Sequence, residues 1–335
     1  MDIQIFTPDL ALWGVCDTAI SVSATETFND PGECTLIVPL GKASAFPLDG
    51  IVSIPGIGGG YRIESIREDT ASGTARITGR GILSCFSHRV LPGGFTYSGP
   101  AEDALIGLAA DYGAAALPGN LSCISYGIPD TLEIAAKAAT LLNVMRSVAR
   151  QADLGFNLRL DPTAKEFLFS VRQKVQGGHF LSRSLGNLLS AARRQDMQTY
   201  ANRVIVLGRG GKTVTLSAQD HFRDGFDDAA VPVREFLCTA TDLFPADYET
   251  EEAYNLALQE RGLLALSSRR PVFSASVRVD ESTARDVMPG EICPITDPML
   301  GRYSGAVCTA KSLTADKTGT HHAITLSLIP NTQVS

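Results

Sequence analysis

The chain offers few of the side chains around which chemistry is usually built. Of its 335 residues only Trp13 is tryptophan and five are histidine. One tryptophan excludes an extensive Trp-based sugar platform, although tyrosine and phenylalanine could serve instead. The seven cysteines, Cys16, Cys34, Cys85, Cys123, Cys238, Cys293 and Cys308, are scattered, with no C-x-x-C spacing. They read as reduced, mostly buried thiols of a protein folded in a cytoplasm, and the odd count argues against a full disulfide framework. There is no G-x-S-x-G nucleophile elbow and no H-E-x-x-H or comparable zinc spacing. Nothing approaches the ~20 apolar residues of a membrane span. The opening MDIQIFTPDL lacks the basic flank and apolar run of a signal peptide. Net charge is -7 and the pI about 5.3, so no strong field favours nucleic acid or an anionic membrane.

What the chain does have is strand pattern. A hydrophobic content of 44% is ample for real cores, and the length suits two or three domains. The stretch 61–91 is the clearest. Ala75, Ile77 and Gly79 alternate with Thr74, Arg76, Thr78 and Arg80, as in a half-buried strand. The preceding strand alternates from Tyr61 to Glu64 and breaks parity at Ile66, and residues 69–73 supply a turn ending in Gly73. This predicts a β-hairpin with a bulge in its incoming strand.

Along the chain, strands are expected at 3–6, 20–28, 34–38 and 51–54, separated by turn residues such as Asn29-Asp30-Pro31-Gly32. Their spacing suggests a small barrel or sandwich. A helix is expected after Pro100, with Glu102 and Asp103 in its first turn. A second is expected from Asp130, which has capping-box spacing to Glu133, with Ile134, Ala138, Leu141, Met145, Val148 and Ala152 as its core stripe. Lys137, Arg146 and Arg150 lie off that stripe, on a face expected to be solvated. A second hairpin follows over 156–160 and 167–171, then a loop at Gly177-Gly178 and a buried strand over 204–207. Strands at 214–217 and 231–239, a helix after Thr250, a strand at 273–279, and a closing hairpin of 303–313 with 323–329 complete the pattern.

No catalytic, cofactor-binding or metal-binding residues are assigned, and each tempting group has a plainer reading. His321-His322 begins an expected strand, where adjacent side chains point to opposite faces and chelate one ion poorly. His179 sits in a loop with no Cys or carboxylate at motif spacing. Cys85 and His88 are close in sequence, but an activated thiolate needs a positioned base or helix terminus, so a structural thiol is the simpler assignment. Gly56, Gly58, Gly59 and Gly60 precede a strand, whereas a phosphate cradle needs a helix N-terminus. Arg193-Arg194 reads as a solvated edge or an intersubunit ion pair.

Several of these stretches resemble, in order, the tail hub proteins of long non-contractile phage tails. RIESI, TGRG and LSCFSHRVL are similar to the family's central hairpin and the segment after it. IQIFTPDLALWG and NDPGECTLIVPL are similar to its opening strand and Pro-Gly-Glu turn. Tyr200 and Asn202 hold the places of its Tyr-x-Asn step, and Arg234-Glu235-Phe236 that of its Arg-Glu step. Met288-Pro289-Gly290-Glu291 stands where the family commonly has Leu-Gly-Asp. The resemblance implies an α+β, predominantly β chain: a first barrel-like domain over 1–97, an α+β insertion over 98–182, and a second barrel-like domain over 183–335 with one inserted helix near 249–268. It implies a non-enzymatic homotrimeric ring at the virion tail tip, assembled in the host bacterial cytoplasm. The partners would be the distal tail protein ring, the C-terminal end of the tape-measure protein, and tail fibre or receptor-binding proteins. The lumen would be gated for DNA ejection, without sequence-specific nucleic acid binding. Two alternatives are a tail-associated peptidoglycan hydrolase and a receptor- or carbohydrate-binding tail module. Because Ser335 closely follows an expected strand, an added C-terminal hydrolase domain is not expected.

Overall fold

The computed structural model describes residues 1–176, 178–222, 226–298 and 303–330. The expected positions Gly177 and Ser335 lie outside the described residues. The first strands are β1 (Ile3–Phe6), β2 (Leu12–Cys16), β3 (Ser21–Thr27), β4 (Glu33–Pro39), β5 (Ile51–Ser53), β6 (Gly60–Asp69) and β7 (Thr74–Gly81). The hairpin of β6 and β7 has the expected bulge. Pairing runs Ile63 with Gly79 and then Ser65 with Thr78, leaving Glu64 as the extra residue. The bulge keeps Tyr61 and Ile63 buried upstream while the strand continues beyond them. Gly79 is required here, because a Cβ would stand 2.6 Å from the Arg62 carbonyl oxygen. At the turn, the Asp69 carboxylate accepts from the Ala71 N–H at 2.9 Å and the Ser72 hydroxyl at 2.8 Å.

The middle of the chain holds β8 (Val90–Leu91), β9 (Phe95–Pro100), α1 (Ala101–Leu108), β10 (Asn120–Ile124), β11 (Thr131–Ala136), β12 (Ala139–Thr140), α2 (Leu141–Gln151), β13 (Leu154–Asp161) and β14 (Glu166–Gln173). Helix α1 follows Pro100 with Glu102 and Asp103 in its first turn, as the sequence predicts. Glu102 is buried, and its carboxylate accepts from the backbone N–H groups of Tyr126 and Ile128 at 2.6 and 2.7 Å. The second helix differs from expectation. Asp130 does not cap a helix; residues 131–136 form β11, antiparallel to β9 over six pairs. Leu132 and Ile134 alternate into the core while Thr131 and Glu133 face outward, so period two prevails over the capping-box spacing. Helix α2 begins only after Thr140, and Leu141, Met145 and Val148 of the expected stripe are buried on it. Strands β13 and β14 form the expected second hairpin, and β10 adds parallel to β14. Phe169 sits between two rings of this core, its centroid 6.3 Å from that of Phe86 and 6.0 Å from that of Phe156.

The last part comprises β15 (Val175–Gln176), β16 (Leu181–Ser182), β17 (Leu188–Asp196), β18 (Arg203–Gly208), β19 (Thr213–Ser217), α3 (Ala218–His221), β20 (Glu235–Ala240), α4 (Glu251–Ser267), β21 (Val272–Val279), α5 (Glu281–Asp286), β22 (Glu291–Cys293), β23 (Ile295–Thr296), β24 (Tyr303–Asp316) and β25 (Gly319–Pro330). Strands β19, β18 and β20 make their own three-stranded sheet, against which α4 packs around Val204, Val206 and Leu258. The Thr250 hydroxyl caps α4 by accepting from the Ala253 N–H at 3.1 Å. Gly262 permits the close approach, since a Cβ there would lie 2.5 Å from Val206 Cγ2.

Strands β8 and β12, and β16 and β23, form two-stranded pairs, and the remaining strands build one large sheet in the order β17-β21-β25-β24-β3-β4-β7-β6-β5-β1-β2, with β22 on β24 and β15 on β22. The beginning and end of the chain are joined at a seam, where Val22 to Thr27 of β3 pair with Ala315 to Ala310 of β24. Each side of the seam has its own apolar core. One gathers Ile3, Leu36, Tyr61 and Ile77, and the other gathers Val277, Cys308, Ile324 and Leu326. Leu313 crosses from β24 into the first of these. The chain is thus α+β and predominantly β.

Candidate assembly surfaces

Three parts of the chain are tied together at the seam by charge. Glu26 on β3 accepts from the Gly58 N–H at 3.1 Å and lies 3.8 Å from the Arg159 guanidinium on β13. Lys311 on β24 is buried, and its Nζ donates to the Arg285 carbonyl at 3.0 Å, at the end of α5. Burial lowers the Lys311 pKa, and Glu26 opposes that shift. Arg159 is likewise lowered by burial and supported by Glu26. Buried charges of this kind are costly to strip of a partner.

The ends of the large sheet contrast with this closed seam. Among the described residues β2 pairs only with β1, and β17 only with β21. Strand β2 carries Leu12, Trp13 and Val15 at 59%, 60% and 54% exposure, and its sequence LWGVC holds neither charge nor proline. Apolar edges are the ones that recruit another strand, and proteins that need to stay apart usually blunt them with Lys or Pro. Strand β17 exposes Leu189 but ends in charge, with Arg194 and Asp196 paired at 2.9 Å.

The groups weighed in the sequence fall as follows. His321 is exposed and contacts Arg278 at 3.2 Å, whereas His322 is buried on the opposite face of β25. They do not converge on one point. Burial lowers the His322 pKa. His179 Nδ1 meets the Glu291 carboxylate at 2.6 Å, a pairing across 112 residues that no local spacing could reveal. Cys85 is buried and burial raises its thiol pKa, while His88 faces Arg62 at 3.4 Å. Glu64, the bulge residue, is bound by both Arg62 and Arg80 at 2.7–2.9 Å. Burial pushes its carboxyl up, but the hydrogen bonds from Arg80 and Arg62 outweigh it and hold the pKa below the ordinary value. The glycines at 56–60 lead into β6. Arg193-Arg194 lies on the edge strand β17. Among the described residues no three His, Cys, Asp or Glu side chains are grouped to hold a metal ion, and no helix is long and apolar enough to cross a membrane.

Two features were missed by sequence reasoning. Arg270 forks onto the buried Asp228 at 2.6 and 2.8 Å, and the Tyr200 hydroxyl donates to the same carboxylate at 2.7 Å. Asn202 clamps the next strand by accepting from the Arg234 N–H at 2.7 Å and donating to the Pro232 carbonyl at 3.2 Å. The Tyr-x-Asn step was visible, but its partners lie 26 to 32 residues away. The other feature is a groove between α2 and α4. The expected basic face lines it rather than standing in open solvent: Arg146 of α2 is bound to Asp30, and Lys137, which lies ahead of α2, donates to the Asp242 carbonyl at 2.5 Å.

A family model described as Siphovirus ReqiPepy6 Gp37-like protein matches residues 2–326. Solved structures share the fold. A tail protein from Neisseria meningitidis MC58 superposes with a TM-score of 0.61 at 16% identity, covering 98% of both chains. The prophage MuSo2 43 kDa tail protein from Shewanella oneidensis gives 0.61 at 12% identity, covering 97% of this chain and 98% of its own. Prophage tail protein gp18 from Listeria monocytogenes EGD-e gives 0.56 at 13% identity, covering 98% of this chain and 94% of its own. No curated protein sequence matches the chain.

Proposed function

The chain belongs to the Siphovirus ReqiPepy6 Gp37-like family, and from that premise we propose that it is a tail protein, a structural hub at the tail tip working as a homotrimeric ring. The observation that carries this reading is the pair of unlike edges on one large sheet, apolar at β2 and partly charged at β17. Contact between two different patches is heterologous, and it closes into a ring when the rotation between copies closes. In this reading residues 1–97 and 183–335 are the two barrel-like units, with the helix near 249–268 inserted in the second. Three protomers present six such units to a six-fold tail ring, and residues 98–182 form a lobe on the ring.

The ring joins the distal tail protein ring above it to the tape-measure end and to fibre or receptor-binding proteins, and its lumen lets DNA leave. A net charge of -7 suits a channel that DNA must pass without being held. The assignment is non-enzymatic. Negative-stain imaging of the purified chain tests it. Rings of three lobes around an open centre are expected, and a field of single particles at every concentration would contradict it.

A further inference from the structure

The groove between α2 and α4 is a second surface, set apart from the sheet edges. It consists of a cavity of about 690 Å3 and a neighbouring one of about 300 Å3, which share Ala135, Arg150 and Glu260 in their linings. The larger is within the range of ligand-binding clefts, and the smaller adjoins it at Arg150. Small apolar side chains dominate the wall of the larger cavity, including Ala136, Ala139, Ala257 and Leu264.

Charge in the groove is unequally satisfied. The larger cavity is lined by the cations Lys137, Arg146, Arg150 and Arg261, and by the carboxylates Asp30 and Glu260. Arg146 is paired with Asp30, Arg261 with Asp242 at 2.9 Å, and Lys137 with a carbonyl. Arg150 alone of these four has no hydrogen bond or ion pair among the described residues. Its nearest support is the Glu260 carboxylate, which Gln151 already engages. Burial lowers the Arg150 pKa, and the neighbouring charge of Arg146 lowers it further. A half-buried guanidinium without an acceptor is matched by an incoming carboxylate, which it binds through two parallel hydrogen bonds.

We infer that this groove docks an extended segment of a partner polypeptide, one with small apolar side chains flanking a carboxylate that pairs with Arg150. Two adjoining cavities suit an extended chain better than a compact ligand, and a guanidinium on an apolar floor with no hydrogen-bonded acceptor, supported only by the neighbouring charge of Glu260, selects an acidic one. The site does not depend on ring formation, because neither β2 nor β17 contributes to its walls.

The test uses fluorescein-labelled octapeptides in which Glu or Asp is set among Ala, Leu and Val, and a matched set carrying Gln and Asn. Binding to the intact chain is read by anisotropy. The acidic set is expected to bind saturably and the amide set about tenfold or more weakly, the loss for a charge-assisted pair. Arg150→Gln should cost the acidic set a similar factor, and Arg150→Lys less. Because Arg150 is partly buried, Leu264→Glu provides a second variant at an exposed wall position, and it too should weaken the acidic set. Solution mass measured in parallel should be the same for Leu264→Glu and the unaltered chain, which separates this inference from the ring. Equal binding of both sets, no binding of either, or indifference to both Arg150→Gln and Leu264→Glu would overturn it. Displacement of the peptides by a free tricarboxylate at equal carboxylate concentration would overturn the choice of a polypeptide.

Discussion

The seam strand β3 and the edge strand β2 belong to the same sheet and solve opposite problems. In β3, Val22 and Ala24 are buried, and every residue from Val22 to Thr27 faces a partner on β24. In β2, three apolar side chains stand exposed on a strand with one neighbour. Both are short strands with little charge, although β3 reads SVSATET and β2 the more apolar LWGVC. The difference lies in what comes to pair with them: β3 meets a strand from the far end of the same chain, and β2 has no such strand among the described residues. An edge left apolar is a place for another molecule, whereas a closed seam is where the monomer's own stability is concentrated.

The strongest test of that contrast is to damage the seam. Leu313→Ala removes a fully buried side chain and should lower the unfolding free energy by about 2–5 kcal/mol, read from urea melts of the variant followed by circular dichroism. The complementary change is Leu12→Lys combined with Val15→Lys on β2. It should leave monomer stability within about 0.5 kcal/mol while removing assembly, measured by sedimentation across a concentration series. If the two variants had the same effect, the contrast would be lost.

Acidification probes the seam more gently. His322 pairs in register with Leu313, and burial holds its folded pKa below the ordinary 6.5. Above pH 6.5 the ring is neutral in both states and its contribution to stability is fully present. As the pH falls below 6.5 the unfolded chain takes up the proton first, so stability declines until the folded pKa is passed. His322→Leu should flatten that part of the stability-versus-pH curve. The smallest expected effect is at Asp280, which caps α5 by accepting from Ser282 and Thr283 and is held down at about 2 against an ordinary 3.8. Its contribution is present above pH 3.8 and lost as the pH falls toward 2. Asp280→Asn should remove that slope, seen as a shallower acid melt between pH 4 and 2.

Local pattern carried much of the fold. The bulge at Glu64 was written in a parity break between Glu64 and Ile66, and the start of α4 in a threonine before two glutamates. Where two local signals competed, the outcome depended on a partner. The sequence TLEIAA fits both a helix start and a strand, and pairing with β9 decides for the strand. The candidate surfaces were less legible. The β3–β24 pairing joins residues nearly 300 positions apart, and the exposure of Leu12, Trp13 and Val15, on a strand with one neighbour among the described residues, leaves no trace in periodicity. Likewise the basic face of α2 looked solvated because nothing in residues 137–150 announces that α4 will stand opposite.

If the apolar edge at β2 makes a trimer, as proposed, two lysines on that edge must break it. Light scattering on the unaltered chain and on Leu12→Lys with Val15→Lys, at matched concentrations, measures this directly. A mass near three times 35.6 kDa is expected for the first and near 35.6 kDa for the second. A monomer in both cases, or a trimer indifferent to the two lysines, would contradict it.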